Sequence, residues 1–365
     1  MSSDDIGRMR RRIRELDTQI LELVAERLKA ARRIGSLKRS ESAPLRDYTV
    51  EAQVMGNAEE VCSRLGIDSH IGRDIAKLLI GAAVAVQSSS DARVYTGAKK
   101  RILIVGGNGK MGQWYTRFFN VQGHEVAVND ISGSSPFRMV DDLEKGAAES
   151  DIVLLSTPIS ATSSLLGRVL SAGGDALVMD GCSLKSPIAS ALKAAAVSGR
   201  RVTSIHMMFG PDTMTLADQN MIVCDCGNSA AAEEAASLFT DTCLSIRRMD
   251  LDSHDRIMSY LLGMTHAVNI MLFNALVQSG YSYAELSQLA STTFRKQMQT
   301  ASDVARENPH LYYEIQNLNR HRDAVFGGLQ KSLDELRSAS FSDNSSSFDG
   351  IMEAGSGYFG GSAVE

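Results

Sequence analysis

Residues 101–114 read RILIVGGNGKMGQW, an apolar β-forming run that passes through Gly107-x-Gly109-x-x-Gly112 into a helical segment. A strand that turns on glycines into a helix begins a βαβ unit, and such units build a parallel sheet with helices on both faces. The first glycine permits the tight turn, and the second lets the backbone approach a pyrophosphate. The third lets helix and strand pack closely, with the helix N-terminus facing the phosphates. Gly107, Gly109 and Gly112, with Lys110 and Met111 inside the loop, therefore read as a dinucleotide-binding turn, although Lys110 serves equally well there as a solvated charge. The next strand, HEVAVND, ends in Asp130, eighteen residues past Gly112. An acid at that place accepts both ribose hydroxyls of NAD and repels the 2′-phosphate of NADP. NAD is the expected cofactor.

The same texture continues along the chain. DIVLLS, ALVMD, RVTSI, MIVCD and LSIRRM are short β-rich runs separated by helical ones, so residues 101–248 are expected to form a Rossmann-type domain on a parallel sheet. Residues 1–90 read as helix, with Pro44 the single proline, and residues 249–338 read as helix again. The polar stretch 91–100 reads as a linker, and the Ser- and Gly-rich end, 339–365, as a loosely held low-complexity tail. The expected fold class is α/β plus all-α.

Composition narrows the partners. With 44% hydrophobic and 22% charged residues and a net charge of −5, the chain lacks the basic excess of a nucleic-acid binder. No apolar run is expected to approach the roughly 18 residues that span a bilayer, and MSSDDIGRMRRR has no signal-peptide core, so membranes are not expected as partners and the reading is cytoplasmic. Five scattered cysteines without a C-x-x-C pair suggest neither a disulfide framework nor a metal site.

In SIHMMFGPD a histidine, His206, closes a predicted strand. Ligands of doubly wound sheets sit at the carboxyl ends of strands, so His206 can face a nicotinamide. The alternative is a packed histidine bonded to a backbone carbonyl. Ser183 and Lys185, in MDGCSLKSP, follow another strand end and could join it. A histidine so placed suits general-base work on a hydroxyl whose carbon is losing hydride.

The N-terminal helix carries an apolar seam at Ile6, Met9, Ile13, Leu16, Ile20 and Leu23, and the next seam position is Arg27. An unpaired buried cation is costly, so an anionic partner is expected there. Lys38 lies only about 20° around the helix from Arg27, whereas Arg10 projects about 100° away and is free to reach a neighbouring subunit.

Two resemblances carry these observations further. IVGGNGKMG, STPIS, GCSLKSP, HMMFGPD, HDRIMSYLLGMTHAV and STTFRKQM, spread over about 101–335, resemble prephenate dehydrogenase. The resemblance implies that His206 is the catalytic base and that Ser183 supports it, with Lys185 beside them. It also implies that Arg295 binds a substrate carboxylate, His266 lines the substrate pocket, and Thr157 and Pro158 touch the cofactor. The C-terminal helices would dimerise, with His254, His310 and His321 facing water.

Residues 4–88 resemble the all-helical chorismate mutase, through Arg10, Arg27, Lys38, Pro44, Asp47, Glu51 and Gln87. There Arg10 and Arg27 would hold carboxylates, Arg10 across an intertwined dimer, with Lys38 and Gln87 on the ether oxygen and Glu51 on the ring hydroxyl. The chain departs from that pattern at Val50, where the family commonly has Arg, and at Ala83. The two resemblances fit together, because prephenate is the product of one reaction and the substrate of the other. The expectation is a homodimeric fusion enzyme of tyrosine synthesis acting on chorismate and prephenate, with tyrosine a candidate feedback inhibitor. The competing expectation is an arogenate (cyclohexadienyl) dehydrogenase whose N-terminal helices only dimerise or regulate.

Overall fold

A computed structural model of the chain describes residues 3–40, 48–89, 97–213, 216, 219–240, 242 and 244–360. They divide into two units. The first comprises Met1–Thr157, Ala161–Cys182 and Ala191–Met249, and the second Pro158–Ser160, Ser183–Ser190 and Asp250–Glu365.

The first unit begins with three helices, α1 (Ser3–Ser40), α2 (Tyr48–Leu65) and α3 (Ser69–Ser89), of which α1 and α2 both pack on α3. Small residues lie where helices meet: Ala31, Cys62 and Ala76 are buried, and a Cβ on Gly72 would collide with Cys62 Sγ. The seam of α1 has no such cover. Ile6, Met9, Ile13, Leu16, Ile20 and Leu23 are 40% to 64% exposed along a helix about 57 Å long, a stripe that calls for another chain.

The sheet follows. β1 (Arg101–Val105), α4 (Lys110–Val121) and β2 (Glu125–Asn129) form the expected first βαβ unit, and the short β3 (Arg138–Met139) adds to its edge. After α5 (Leu143–Ala148) come β4 (Ile152–Leu155), α6 (Ile159–Ser171), β5 (Leu177–Asp180), α7 (Ala189–Val197) and β6 (Val202–Met207). β7 (Asn220–Asp225), α8 (Ser229–Ser237) and β8 (Ser245–Asp250) complete the sheet, in the order β3-β2-β1-β4-β5-β6-β7-β8. The pairs from β3 through β6 are parallel, but β6 and β7 are antiparallel, with His206 opposite Ile222. The wholly parallel expectation is therefore corrected at this edge. A parallel return needs a crossover, usually a helix, and the described residues between β6 and β7 contain none. On one sheet face Trp114, Tyr115 and Phe119 of α4 pack with Ile102, Ile104, Met179, Ile205 and Met207.

The second unit is helical. α9 (Leu251–Met258) runs through a π-helical turn, Ser259–Met264, into α10 (Thr265–Gln278), followed by α11 (Tyr283–Gln288), α12 (Thr292–Arg306), α13 (Pro309–Leu318), α14 (Arg322–Ser340) and α15 (Ser346–Gly360). Two expectations change here. The Ser- and Gly-rich tail is helical over α15, because Phe348, Ile351 and Met352 supply an i, i+3, i+4 stripe and Asn344 and Ser345 bond to the first turn. In addition, Leu251–Gln278 is a 28-residue helical run long and apolar enough to cross a bilayer, with only 17% of its most apolar stretch buried in the chain. The interruption by Ser253, His254, Asp255, Asn269 and Asn274 hid its length in the sequence.

The glycine turn yields a direct test. A Cβ on Gly112 would overlap the Gly106 carbonyl and press on Gly107 Cα at 2.8 Å, whereas one on Gly109 meets only the Gly106 carbonyl, at 3.3 Å. Gly112→Ala should therefore lower the calorimetric Tm by the equivalent of about 1–3 kcal/mol, the usual cost of overpacking, and Gly109→Ala should change it far less. Equal shifts would contradict the close approach of α4 to β1.

Candidate functional site

At the β1–α4 turn the tight conformation falls on Gly106, at φ +81°, one residue before the glycine that the motif suggests. Gly107 is required for a different reason, since its Cβ would press into Val128 of β2. Gly109 is the N-cap of α4 in extended conformation, without a side chain over the helix end, so the N–H groups of Lys110, Met111 and Gly112 begin α4. At the end of β2, Asp130 accepts from the Asn108 backbone N–H at 2.9 Å and from the Ser132 N–H at 2.9 Å, tying the acid to the glycine loop. A bare backbone cradle, a helix N-terminus and an acid beyond the second strand fit a dinucleotide.

Along the sheet, Thr157 Oγ1 lies 2.8 Å from Thr162 Oγ1, which lies 3.1 Å from Cys182 Sγ, so hydroxyl and thiol groups join the ends of β4 and β5. His206 is the fifth residue of β6 and 5% exposed. It belongs to the first unit. Ser183 and Lys185 belong to the second.

In that second unit Lys185 is fully buried and Ser183 half-buried. The segment bearing them is held by Asp255, whose Oδ1 accepts the Lys185 N–H at 2.8 Å and the His254 ring at 2.8 Å, while its Oδ2 accepts the Ser186 N–H and hydroxyl. Burial pushes the Asp255 carboxyl up, but the bonds from His254, Ser186 and Lys185 outweigh it and hold the group below the usual aspartate value. His254 is thus corrected: it is wholly buried against Asp255 and does not face water. His310 does face solvent, and His321 lies 3.3 Å from Asp252.

His266 is half-buried with its ring 4.2 Å from that of Tyr312, and its Nδ1 is buried without a hydrogen-bond partner among the described residues. Burial lowers its pKa to about 4, so near neutral pH it offers an uncharged ring. Arg295, in the first turn of α12, is exposed.

The mutase residues are placed less completely. Arg27 is half-buried, and its Nη1 donates to the Leu79 carbonyl of α3 at 2.7 Å. This partner is a neutral backbone carbonyl rather than the anionic group expected opposite the cation. Arg10 is exposed and Lys38 half-buried on α1. Glu51 and Gln87 lie on α2 and α3, with side chains outside the described residues, as is Asp47 altogether.

Sequence reasoning missed Gly106, Asp255, Glu314 and Tyr312. Glu314 had a signal: it shares a helical stripe with Leu311, Ile315 and Leu318, an acid where an apolar side chain is due.

The sheet order, the glycine cradle and the strand-end histidine define a dinucleotide-dependent oxidoreductase domain, placed between two helical regions. Family models agree: type II chorismate mutase matches residues 9–88, the prephenate dehydrogenase nucleotide-binding domain matches 124–241, and the prephenate dehydrogenase dimerisation domain matches 250–353. The T-protein of Enterobacter agglomerans is 21% identical over 311 residues, covering 85% of this chain and 81% of that protein. Among solved structures, prephenate dehydrogenase from A. aeolicus in complex with hydroxyphenyl propionate and NAD+ aligns with TM-score 0.56 at 18% identity, over 67% of this chain and 91% of that one. Synechocystis arogenate dehydrogenase aligns with TM-score 0.52 at 18% identity, over 66% and 91%. The chain belongs to the family of fused chorismate mutase–prephenate dehydrogenase enzymes of tyrosine biosynthesis.

The Asp255 clamp predicts a pH signature. A carboxyl whose folded pKa is depressed contributes stability above its unfolded pKa and loses it as pH falls through the folded value. Asp255→Asn should cost about 2–4 kcal/mol in urea unfolding at pH 7, and the gap to the unmodified chain should narrow below about pH 4. A gap that stays constant from pH 7 to pH 3 would contradict the charged clamp.

Proposed function

We propose that the N-terminal helices rearrange chorismate to prephenate and that the rest of the chain oxidises prephenate to 4-hydroxyphenylpyruvate and CO2. The observation that carries the second reaction is His206, nearly buried at the carboxyl end of β6 in a sheet whose β1–α4 turn is a dinucleotide cradle. A bound NAD+ would supply the acceptor for the hydride that leaves the ring carbon. Gly109 would let the backbone approach its pyrophosphate, while Gly107 and Gly112 keep β2 and α4 packed on the turn; Lys110 and Met111 begin the helix that would face it, Asp130 would hold its ribose hydroxyls, and Thr157 and Pro158 would touch it. The imidazole of His206 takes the proton of the substrate hydroxyl as that oxygen becomes a carbonyl. Ser183 and Lys185 support this centre, and Arg295 pairs with a substrate carboxylate. Breaking the bond from C1 to its carboxylate releases CO2 and sends its electron pair through the ring to the new carbonyl oxygen, which takes the proton back from His206 and leaves the ring aromatic. His266 contributes an uncharged wall, as its depressed pKa requires.

The mutase needs no nucleophile. Chorismate must be held in its reactive conformer while negative charge grows on the ether oxygen. Arg10 and Arg27 take the carboxylates, Lys38 and Gln87 the ether oxygen, and Glu51 the hydroxyl, and Asp47, which precedes Tyr48 in the sequence, joins the same site. The uncovered stripe of α1 and the apolar run of α9–α10 support a homodimer, which we place in the cytoplasm.

Arogenate remains the competing substrate, since it differs from prephenate in carrying an amino acid side chain in place of the keto acid. Spectrophotometric assay with prephenate or arogenate and NAD+ or NADP+ separates the readings, and tyrosine added to the same assay tests inhibition. His206→Asn should leave NADH binding intact and lower turnover about 10²- to 10⁴-fold, the usual worth of a positioned base. Turnover near that of the unmodified enzyme would remove His206 from this role.

A further inference from the structure

α13 carries an acid where its apolar stripe should continue. Glu314 is 2% exposed, and its carboxylate accepts two backbone hydrogen bonds, from Ile159 to Oε2 at 3.0 Å and from Ser160 to Oε1 at 3.0 Å. Those are the first two residues of α6, whose N–H groups have no acceptor within their own helix, and a carboxylate there also meets the positive end of the helix dipole. Burial works to raise the Glu314 pKa, but the bonds from Ser160 and Ile159 and the nearby His310, at 3.4 Å, hold it below the ordinary glutamate value.

The acid is rigidly mounted. Gln316, two residues on, donates to the Gly263 carbonyl at 2.8 Å, and Asn319 donates to the Asp255 carbonyl at 3.0 Å. Immediately before Ile159 comes the turn Thr157-Pro158. Pro158 has a fixed φ and no N–H of its own, so the turn follows whatever holds the N–H groups after it. Its other side is tied to α6 as well, through the Thr157–Thr162 hydroxyl contact.

We propose that Glu314 is a positioning residue of the dehydrogenase, holding the turn Thr157-Pro158 in the geometry that receives the nicotinamide half of the cofactor. The proposal rests on the reading that this turn touches the cofactor. By filling the N-terminus of α6, Glu314 also denies that helix end to the cofactor's phosphates and leaves them to α4.

The test uses the full chain and four readouts: NADH affinity by fluorescence, KM for NAD+, KM for prephenate, and chorismate mutase rate. Glu314→Gln keeps the size but removes the charge and turns an amide N–H toward one of the two backbone N–H groups. It should weaken NADH binding and raise KM for NAD+ on the order of tenfold, while KM for prephenate and the mutase rate stay within about twofold. Glu314→Asp, which keeps the charge on a shorter stem, should recover part of the loss, and it carries the test alone if Glu314→Gln does not fold. NADH affinity unchanged in these variants overturns the proposal, and so does an equal loss in all four readouts. Thr157→Val separates the two layers. If it weakens NADH and Glu314→Gln does not, only the positioning role fails; if Thr157→Val is itself silent, the reading of the turn fails.

Discussion

Two carboxylates buried in the helical unit, Asp255 and Glu314, could not remain charged there without several hydrogen bonds each. They find them in backbone N–H groups: Asp255 in those of Lys185 and Ser186, Glu314 in those of Ile159 and Ser160. Buried charge thus becomes a constraint on chain path. The segments it fixes, Pro158–Ser160 and Ser183–Ser190, include Pro158, Ser183 and Lys185 of the dehydrogenase reading. Removing either acid would leave two backbone N–H groups without their carboxylate acceptor, a loss that costs stability.

The two reactions ask different things of the protein, and the two helical regions and the sheet divide the work accordingly. A pericyclic rearrangement needs cations at fixed separations, and α1 spreads Arg10, Arg27 and Lys38 along one rigid rod. Hydride removal needs a cofactor cradle and a base, and in the proposed reading the sheet supplies a glycine turn and a histidine within β6. What the single chain leaves uncovered is also informative. Most of the exposed seam of α1 lies in the region matched by the mutase model, and the apolar stretch of Leu251–Gln278 lies in the region matched by the dimerisation model.

Much of this was legible in the residues. Strand runs, the glycine loop, Asp130 and the α1 seam obey local periodicity, and local rules suffice for them. Gly106 was obscured because the G-x-G-x-x-G spacing counts only from Gly107, and the backbone angle alone shows which glycine makes the turn. His254 was read as solvent-facing, as a polar residue on a helix bundle; it is buried against Asp255, whose carboxylate in turn holds a segment some seventy residues earlier in the chain. Glu314 depends on contacts still more distant in sequence. The α15 helix was hidden by composition, since Ser and Gly mask an apolar stripe that packing can still use. The antiparallel β7 followed from a missing crossover helix, which could have been noticed.

The claim that one chain performs two successive reactions is tested most directly by supplying only chorismate and NAD+ to the purified protein and measuring NADH, 4-hydroxyphenylpyruvate and CO2 together. The account predicts that all three appear in equal amounts, one of each per chorismate consumed. Chorismate that stays intact while added prephenate is oxidised would contradict it, leaving the N-terminal helices as a dimerisation or regulatory element.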